Sequence, residues 1–525
     1  MTRRAMVAGS GALVAACAPA RRPSLKTGTG FAVSTNHPLA TRAAEEMKLA
    51  GGGAYDMMIA ALAMSWVVDP ANSSPFGRIQ GVNAASSRID TIHAATMLRD
   101  VPASTVPVPG CIAAIDLCHS QQRLSLPLAQ VLAPAVATAR QGHRVGDTLK
   151  AILATTADAL DAGLRSIYLD DRGRPLDIVR NPQMADLIEM FGDSPDASAF
   201  WTRLNAAHSI PWSHTELIAN QARFGQPLTH LVAGLGQLHS TAIIETWGPW
   251  TMLGVAILAR LNEAGLLRHP AQAAEAYAVS TILLLERVPF HVGTLEPKAD
   301  APNADIDLDR EAQAIARQTI ALVEGTRADL WRTLDATYFG TEASHTDDRN
   351  TTHFSVAEGA GMLAWTTSVG PWFGSRRSVA GAALGYSYAM RSGRRYRGQT
   401  HDGTELAPII ITRAETPSLA IGAAGSERIL GALTWVLAQA IRSGGHADYE
   451  TLMRLPRLFP KDGALRMHLD MPADVRDHLA ARGFAIQLTD YDVKQHLGII
   501  NFVARSQAGD YYAGADPSSR GSALP

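Results

Sequence analysis

Apolar positions follow two rhythms along the chain. From residue 36 to about 335 they recur mostly at helical spacing. His37-Pro38-Leu39 opens a segment running to residue 50, and Gly51-Gly52-Gly53 stops it. Residues 54–68 are apolar almost all round, the pattern of a helix buried on every side. Over 127–141, Leu128, Val131, Leu132, Ala135 and Val136 share one helical face, and Gly142 ends the run. Residues 253–266 and 271–285 predict further apolar helices. Residues 299–309 form an acidic loop, and about 310–334 a last helical region. From Thr351 the period becomes two: Thr352, Phe354 and Val356 alternate with Thr351, His353 and Ser355. A turn at Glu358-Gly359-Ala360-Gly361 returns the chain through 362–368 as a hairpin. Residues 408–412 and 418–421 predict a strand pair about a turn at 414–417. Ser426 is the expected N-cap of a helix to Arg442. Residues 472–481 predict a short helix, and 499–505 and 511–514 flank a turn at Ala508-Gly509-Asp510. Helices first, then strands interleaved with helices, predict an α+β fold of sheets covered by helical layers.

Composition narrows the function more by exclusion. The 525 residues allow two or three domains or one large layered fold. A net charge of −2 removes any electrostatic case for nucleic acid as a partner. Three cysteines, Cys17, Cys111 and Cys118, exclude a disulfide scaffold and a multi-Cys zinc site. Cys111 and Cys118 sit in apolar surroundings and are expected to be buried free thiols. No His-Glu-x-x-His, Cys-x-x-Cys, Gly-x-x-x-x-Gly-Lys or Gly-x-Ser-x-Gly occurs, so neither metal nor organic cofactor is expected.

Residues 1–22 form a separate object. Arg3 and Arg4 precede a short, small, apolar stretch from Ala5 to Ala16, too short to span a membrane. Thr2-Arg3-Arg4-Ala5-Met6 resembles a twin-arginine export signal. Val14-Ala15-Ala16-Cys17 resembles a lipobox, which would attach a lipid anchor at Cys17. The expectation is export, to the periplasm or as a membrane-anchored lipoprotein; the alternative is an Ala-rich leader on a cytoplasmic protein.

The boundary between the two rhythms carries the candidate chemistry. A polar run, Ser344-His345-Thr346-Asp347-Asp348-Arg349-Asn350, leads into Thr351-Thr352-His353-Phe354-Ser355-Val356. That hexapeptide resembles the start of the small subunit in the γ-glutamyltransferase family of N-terminal nucleophile hydrolases. Collinear resemblances follow the family over nearly the whole chain after residue 30. They include His37-Pro38-Leu39-Ala40, Val67-Val68-Asp69-Pro70, Val108-Pro109-Gly110, Leu132-Ala133-Pro134-Ala135, Phe373-Gly374-Ser375 and Gly514-Ala515-Asp516-Pro517. The resemblance implies an αββα four-layer fold of two subunits from one precursor. The precursor would be cut between Asn350 and Thr351 into a large subunit, 23–350, and a small one, 351–525. Thr351 would become a free N-terminus whose α-amine, with a reference pKa near 8, serves as base for its own hydroxyl. Ser368 would hold that amine, and Gly425 and Ser426 would form the oxyanion loop.

The departures lie on the substrate side. Where the family has Thr-x-Asn, this chain has Ser368-Val369-Gly370, without the amide. The family's acidic motif becomes Leu384-Gly385-Tyr386-Ser387-Tyr388-Ala389-Met390, and its Ser-Ser-Met-Ser-Pro becomes Thr404-Glu405-Leu406-Ala407-Pro408. Glu405 would repel a carboxylate there. The large-subunit Arg is displaced to Arg88, and the glycine run is broken as Gly77-Arg78-Ile79-Gln80-Gly81. Arg88, Tyr386, Tyr388, Thr404 and Glu405 are therefore the candidate substrate-binding residues. The small-molecule substrate is expected to differ from a zwitterionic glutamyl donor. The first expectation is hydrolysis or transfer of an acyl group from an amide. One alternative is hydrolysis of a C–C bond in a pyrroline-type intermediate of specialised metabolism; another is an uncleaved, non-catalytic binding protein. His353 is expected to serve in packing or a supporting hydrogen bond, and Trp247-Gly248-Pro249-Trp250 to form a packed turn.

Overall fold

The computed structural model describes residues 24–28, 30–85, 88–101, 104–290, 306–325, 349–393, 399–444, 452, 455–461, 463–491, 497–506, 508–516 and 521–524. Two seven-stranded sheets form its centre. One runs in spatial order Ser24–Gly28, Tyr511–Ala515, Ile499–Arg505, Thr416–Ala424, Ile409–Arg413, Gly236–Ser240, Leu228–Val232. The other runs Ser522–Leu524, Phe31–Thr35, Arg349–Glu358, Gly361–Pro371, Arg78–Ala85, Arg88–Ala94, Arg223–Gly225. Strands Arg349–Glu358, Gly361–Pro371 and Arg78–Ala85 are called the junction, return and Arg78 strands below.

Three apolar layers hold the sheets and helices together. Between the sheets the side chains are mostly small: Ala32, Val82, Ala84, Ala357 and Ala364 meet Ala420, Val503, Ala513 and Ala515. Small residues let two sheets pack face to face over a thin core. Outside the junction-strand sheet, Ile79, Ile92, Phe354, Val356, Leu363 and Trp365 pack under helices such as Ala54–Val68 and Leu128–Gln141. Outside the other sheet, Ile409, Ile411, Leu419, Ile421 and Phe502 pack under Trp247–Glu263, Pro270–Arg287 and Arg428–Arg442. The order is αββα. No helix of the described residues is long and apolar enough to cross a membrane.

Two expectations need correction. The first half is mostly helical, as expected, and also supplies strands to both sheets, including the Arg78 strand beside the return strand. That strand is buried along nearly its whole length with polar Arg78, Gln80 and Asn83 inside, so no single apolar face marks it. Trp247-Gly248-Pro249-Trp250 is not a turn but the start of helix Trp247–Glu263. Proline is tolerated in a first turn, where amide donors lack intrahelical partners. Ser426 is not the N-cap of the following helix; Glu427 occupies that position, and Ser426 has φ +60°. Cys111 and Cys118 are buried free thiols as expected, and burial pushes the Cys111 thiol up to about 12. Residues 1–22, with Cys17, lie outside the described residues, as does 326–348 of the expected last helix and junction.

Candidate active site

Strand alternation fixes which side chains share a space. In the junction strand, Phe354 and Val356 face the helices while Ala357 faces the other sheet. Thr351, His353 and Ser355 therefore share the inter-sheet side. Across the ladder Thr351 lies opposite Ser368, and Ser368 lies opposite Arg78. These three form one polar row across the sheet, at the same end as the expected cleavage point.

The expected cleavage point lies inside the strand, which begins at Arg349. Asn350 pairs with Gly370 while Thr351 pairs with Ser368, so Val369 is an extra residue on the return strand. The resulting bulge stands opposite the Asn350–Thr351 peptide bond. A bulge interrupts the ladder and bends it locally. Gly370 has φ +99°, a conformation open to glycine, and its N–H donates to Ser368 Oγ at 3.0 Å.

Thr351 is buried, and its Oγ1 accepts a hydrogen bond of 3.1 Å from the Gly425 N–H. Gly425 ends the strand Thr416–Ala424 and leads into helix Arg428–Arg442. The Gly425 carbonyl accepts from Arg428 N at 3.2 Å and from Arg428 Nε at 2.9 Å. Ser426 Oγ donates to Glu427 Oε2 at 2.6 Å, and Glu427 Oε1 meets Lys461 Nζ at 2.6 Å. Burial alone would raise the Glu427 carboxyl, but Lys461 and Arg428 outweigh it and hold it well below the usual carboxylate range.

The other side of the row is an ion-paired wall. Arg78 is buried; its Nη1 donates to Asp402 Oδ2 at 2.8 Å and to the Gly403 carbonyl at 3.1 Å, and its Nη2 to the Tyr386 carbonyl at 2.5 Å. Ser387 Oγ donates to Asp402 Oδ1 at 2.9 Å. The Cβ of Tyr386 lies where a side chain at Gly370 would be, 3.2 Å from an added Cβ. Tyr388 stacks edge-on against Tyr386, with ring centres 4.8 Å apart. Thr404 and Glu405 are buried in the same segment, and backbone bonds from Thr404 N to the Glu245 carbonyl and from Trp247 N to the Thr404 carbonyl anchor it.

Two buried titratable groups lie on or beside the junction strand. His353 is buried between the sheets with Nδ1 2.8 Å from Thr366 Oγ1 and Nε2 2.8 Å from Ser355 Oγ. Burial pushes it down to about 3, so it is neutral at physiological pH and serves packing, as expected. Asp69 closes helix Ala54–Val68 and accepts from Asn72 Nδ2 at 2.7 Å. Desolvation raises its carboxyl to about 7, against weaker opposing hydrogen bonds from Asn72 and Thr352.

The structure thus brings Thr351, Ser368, Gly425, Ser426 and Tyr386 around the Asn350–Thr351 bond, with Tyr388, Thr404 and Glu405 behind the wall. It does not bring Arg88 there. Arg88 pairs with Ala85 at the far end of the Arg78 strand, its side chain is 64% exposed, and it approaches Asp90 at 3.5 Å. Seven residues of strand separate that row from Arg78, roughly 20 Å. Residues the sequence reading missed are Arg78, Ser387, Asp402, Glu427 and Lys461. A charged Arg78 inside the broken glycine run was the one available signal. Among the described residues no cluster of His, Cys, Asp or Glu is arranged to hold a metal.

Comparison with known proteins agrees with this geometry. The sequence is 25% identical over 514 residues to the acylase ACY 1 proenzyme of Pseudomonas sp. strain SE83, covering 88% of each chain. The strain V22 protein of the same name matches at the same identity and coverage. The fold superposes on cephalosporin acylase from Bacillus halodurans with a TM-score of 0.75 at 17% identity, covering 99% of both chains. That likeness establishes the four-layer N-terminal nucleophile hydrolase fold. The gamma-glutamyltranspeptidase profile matches residues 79–211 and 307–525, more than half of the chain, beginning just after Arg78 and including the junction strand and the Gly425 turn. With the profile and the fold in agreement, the chain belongs to the gamma-glutamyltranspeptidase family and is a hydrolase or acyltransferase of that type.

Proposed function

We propose that the chain is a precursor that cuts itself between Asn350 and Thr351, and that Thr351 then hydrolyses or transfers an acyl group from an amide other than a γ-glutamyl donor. The observation that carries this reading is the Gly425 N–H directed at Thr351 Oγ1, at 3.1 Å, beside a bulge opposite the bond to be cut. The curated relatives are named as acylase proenzymes, which favours amide acyl chemistry and a processed chain.

In processing, Thr351 Oγ attacks the Asn350 carbonyl carbon and forms an ester as the Thr351 nitrogen leaves with a proton. Water then hydrolyses the ester, freeing the Asn350 carboxylate and the Thr351 amine. In turnover that amine takes the Oγ proton as Oγ attacks the substrate carbonyl. The oxyanion sits against the Gly425 turn, the proton passes to the leaving amine, and water or an acceptor amine releases the acyl group. Ser368, opposite Thr351 in the ladder, holds the new amine. Substrate selection falls to Tyr386, Tyr388, Thr404 and Glu405. Residues 1–22 lead us to propose export, with Cys17 as a lipid attachment point.

Intact mass and a denaturing gel test the reading. Wild type should yield two fragments, the smaller starting at Thr351, and Thr351→Ala should remain one chain. An uncut wild type indistinguishable from Thr351→Ala would refute self-processing. Rapid turnover of γ-glutamyl-p-nitroanilide would refute the altered specificity.

A further inference from the structure

We propose that the buried Glu427–Lys461 pair is a positioning device that locks Ser426 in its left-handed conformation and so aims the oxyanion turn at Thr351. This rests on the Thr351 reading above and extends it to residues outside the reacting atoms.

A non-glycine residue avoids φ near +60° because its Cβ crowds the backbone carbonyl. Ser426 nevertheless stands at φ +60°, directly after Gly425 at φ +129°. Its hydroxyl is tied by 2.6 Å to Glu427 Oε2, and the other carboxylate oxygen is tied by 2.6 Å to Lys461 Nζ. Ser426, Glu427 and Lys461 are all buried, so water competes little for these bonds. Lys461 comes from a different element, the strand Leu458–Lys461, which pairs with Ala464–His468. The serine is therefore held from outside its own turn.

The second tie is on the preceding peptide. Arg428 N and Nε both hold the Gly425 carbonyl. In a trans peptide the N–H of the next residue points opposite to that carbonyl, so the Ser426 N–H is turned away from Arg428. With Gly425 N–H on Thr351 Oγ1, both amides of the turn are fixed before any substrate arrives.

The test uses the full processed enzyme and p-nitrophenyl acetate as a general acyl donor, following p-nitrophenolate release and the mass adduct on the Thr351 fragment. Ser426→Ala removes the tie but keeps the Cβ; Ser426→Gly removes the tie and the need for it. Ser426→Ala should acylate about tenfold more slowly at unchanged half-saturation, and Ser426→Gly at least about fivefold faster than Ser426→Ala. Glu427→Leu with Lys461→Met, which removes both charges of the pair together, should slow acylation by about tenfold or more. Adding Ser426→Gly to that pair should recover most of the rate. Ser426→Ala and Ser426→Gly both within about twofold of wild type would overturn the positioning role. So would a folded double variant that glycine at 426 fails to rescue. The serine variants decide the matter alone if the double variant does not fold. Absence of any adduct in wild type that Thr351→Ala abolishes would instead overturn the nucleophile reading, and this proposal with it.

Discussion

On one side of Thr351 stand Gly425 and Ser426, whose useful groups are backbone amides. On the other, two strands away in the same row, stands Arg78 with a guanidinium bound to Asp402 and two carbonyls. The first side works through a chain direction and a tight turn, with Ser426 at φ +60° and its hydroxyl on the Glu427 carboxylate. The second depends on side-chain identity, and there an amide has become Gly370 and an acidic motif has become Tyr386-Ser387-Tyr388. On the proposed reading, acyl-transfer chemistry and substrate recognition rest on separate elements, one built from backbone amides and the other from side chains.

The largest break in that comparison is Arg78→Met. It breaks the Arg78–Asp402 ion pair, both of whose side chains are buried, and such a loss typically costs about 3–5 kcal/mol. Denaturant unfolding should show this, and Arg78→Met with Asp402→Leu should recover most of it. A cost for Arg78→Met under about 1 kcal/mol would mean the wall is not held by this pair.

Next in size is a pH effect from the helix side of the junction strand. The Asp69 carboxyl rises from 3.8 to about 7 in the fold. Its neutral form is thus favoured by folding. The stability it contributes is complete below 3.8 and is lost as pH climbs to about 7, where the loss levels off. Asp69→Asn should flatten this slope and, near neutral pH and above, stabilise the protein by on the order of a few kcal/mol. Parallel pH–stability curves for wild type and variant would refute it.

Gly370→Asn probes the wall by restoring the family's amide. Asparagine tolerates positive φ, but its Cβ would stand 3.2 Å from Tyr386 Cβ and from the Tyr386 carbonyl. A cost of about 1–2 kcal/mol is expected, with no gain in γ-glutamyl-p-nitroanilide turnover. A gain would show that one missing amide accounts for the altered recognition.

What was legible in the sequence divides along the same line. Thr351, Ser368 and Gly425 were found because each sits in a short local motif with a fixed neighbour. Helices Ala54–Val68 and Pro270–Arg287 were found because burial on a helix leaves an apolar run bounded by stops. Arg78 and Asp402 are 324 residues apart, and nothing local marks either as the other's partner. Lys461 ends a short strand whose contact with Glu427 is purely tertiary. Ser426 was misread because serine before a helix usually caps it; here its hydroxyl goes to a carboxylate and its backbone to a left-handed turn. Local rules fail where a distant charge decides the conformation.

The smallest expected effect marks where the recognition wall ends. Family resemblance placed Arg88 on the substrate side, but the register carries it to the opposite end of the strand pair. Its side chain is 64% exposed and its approach to Asp90 is 3.5 Å, while Asp90 already accepts bonds from Asn83 Nδ2 at 2.9 Å and Arg123 Nη2 at 3.1 Å. An exposed contact of this kind contributes little, because water and salt screen it and the long side chain loses freedom in making it. Arg88→Ala should therefore change stability by no more than about 0.5 kcal/mol and leave kcat and KM for any substrate of the enzyme within about twofold. A selective rise in KM with kcat unchanged would show that substrate reaches roughly 20 Å along the strand, far beyond the row shared by Thr351, Ser368 and Arg78.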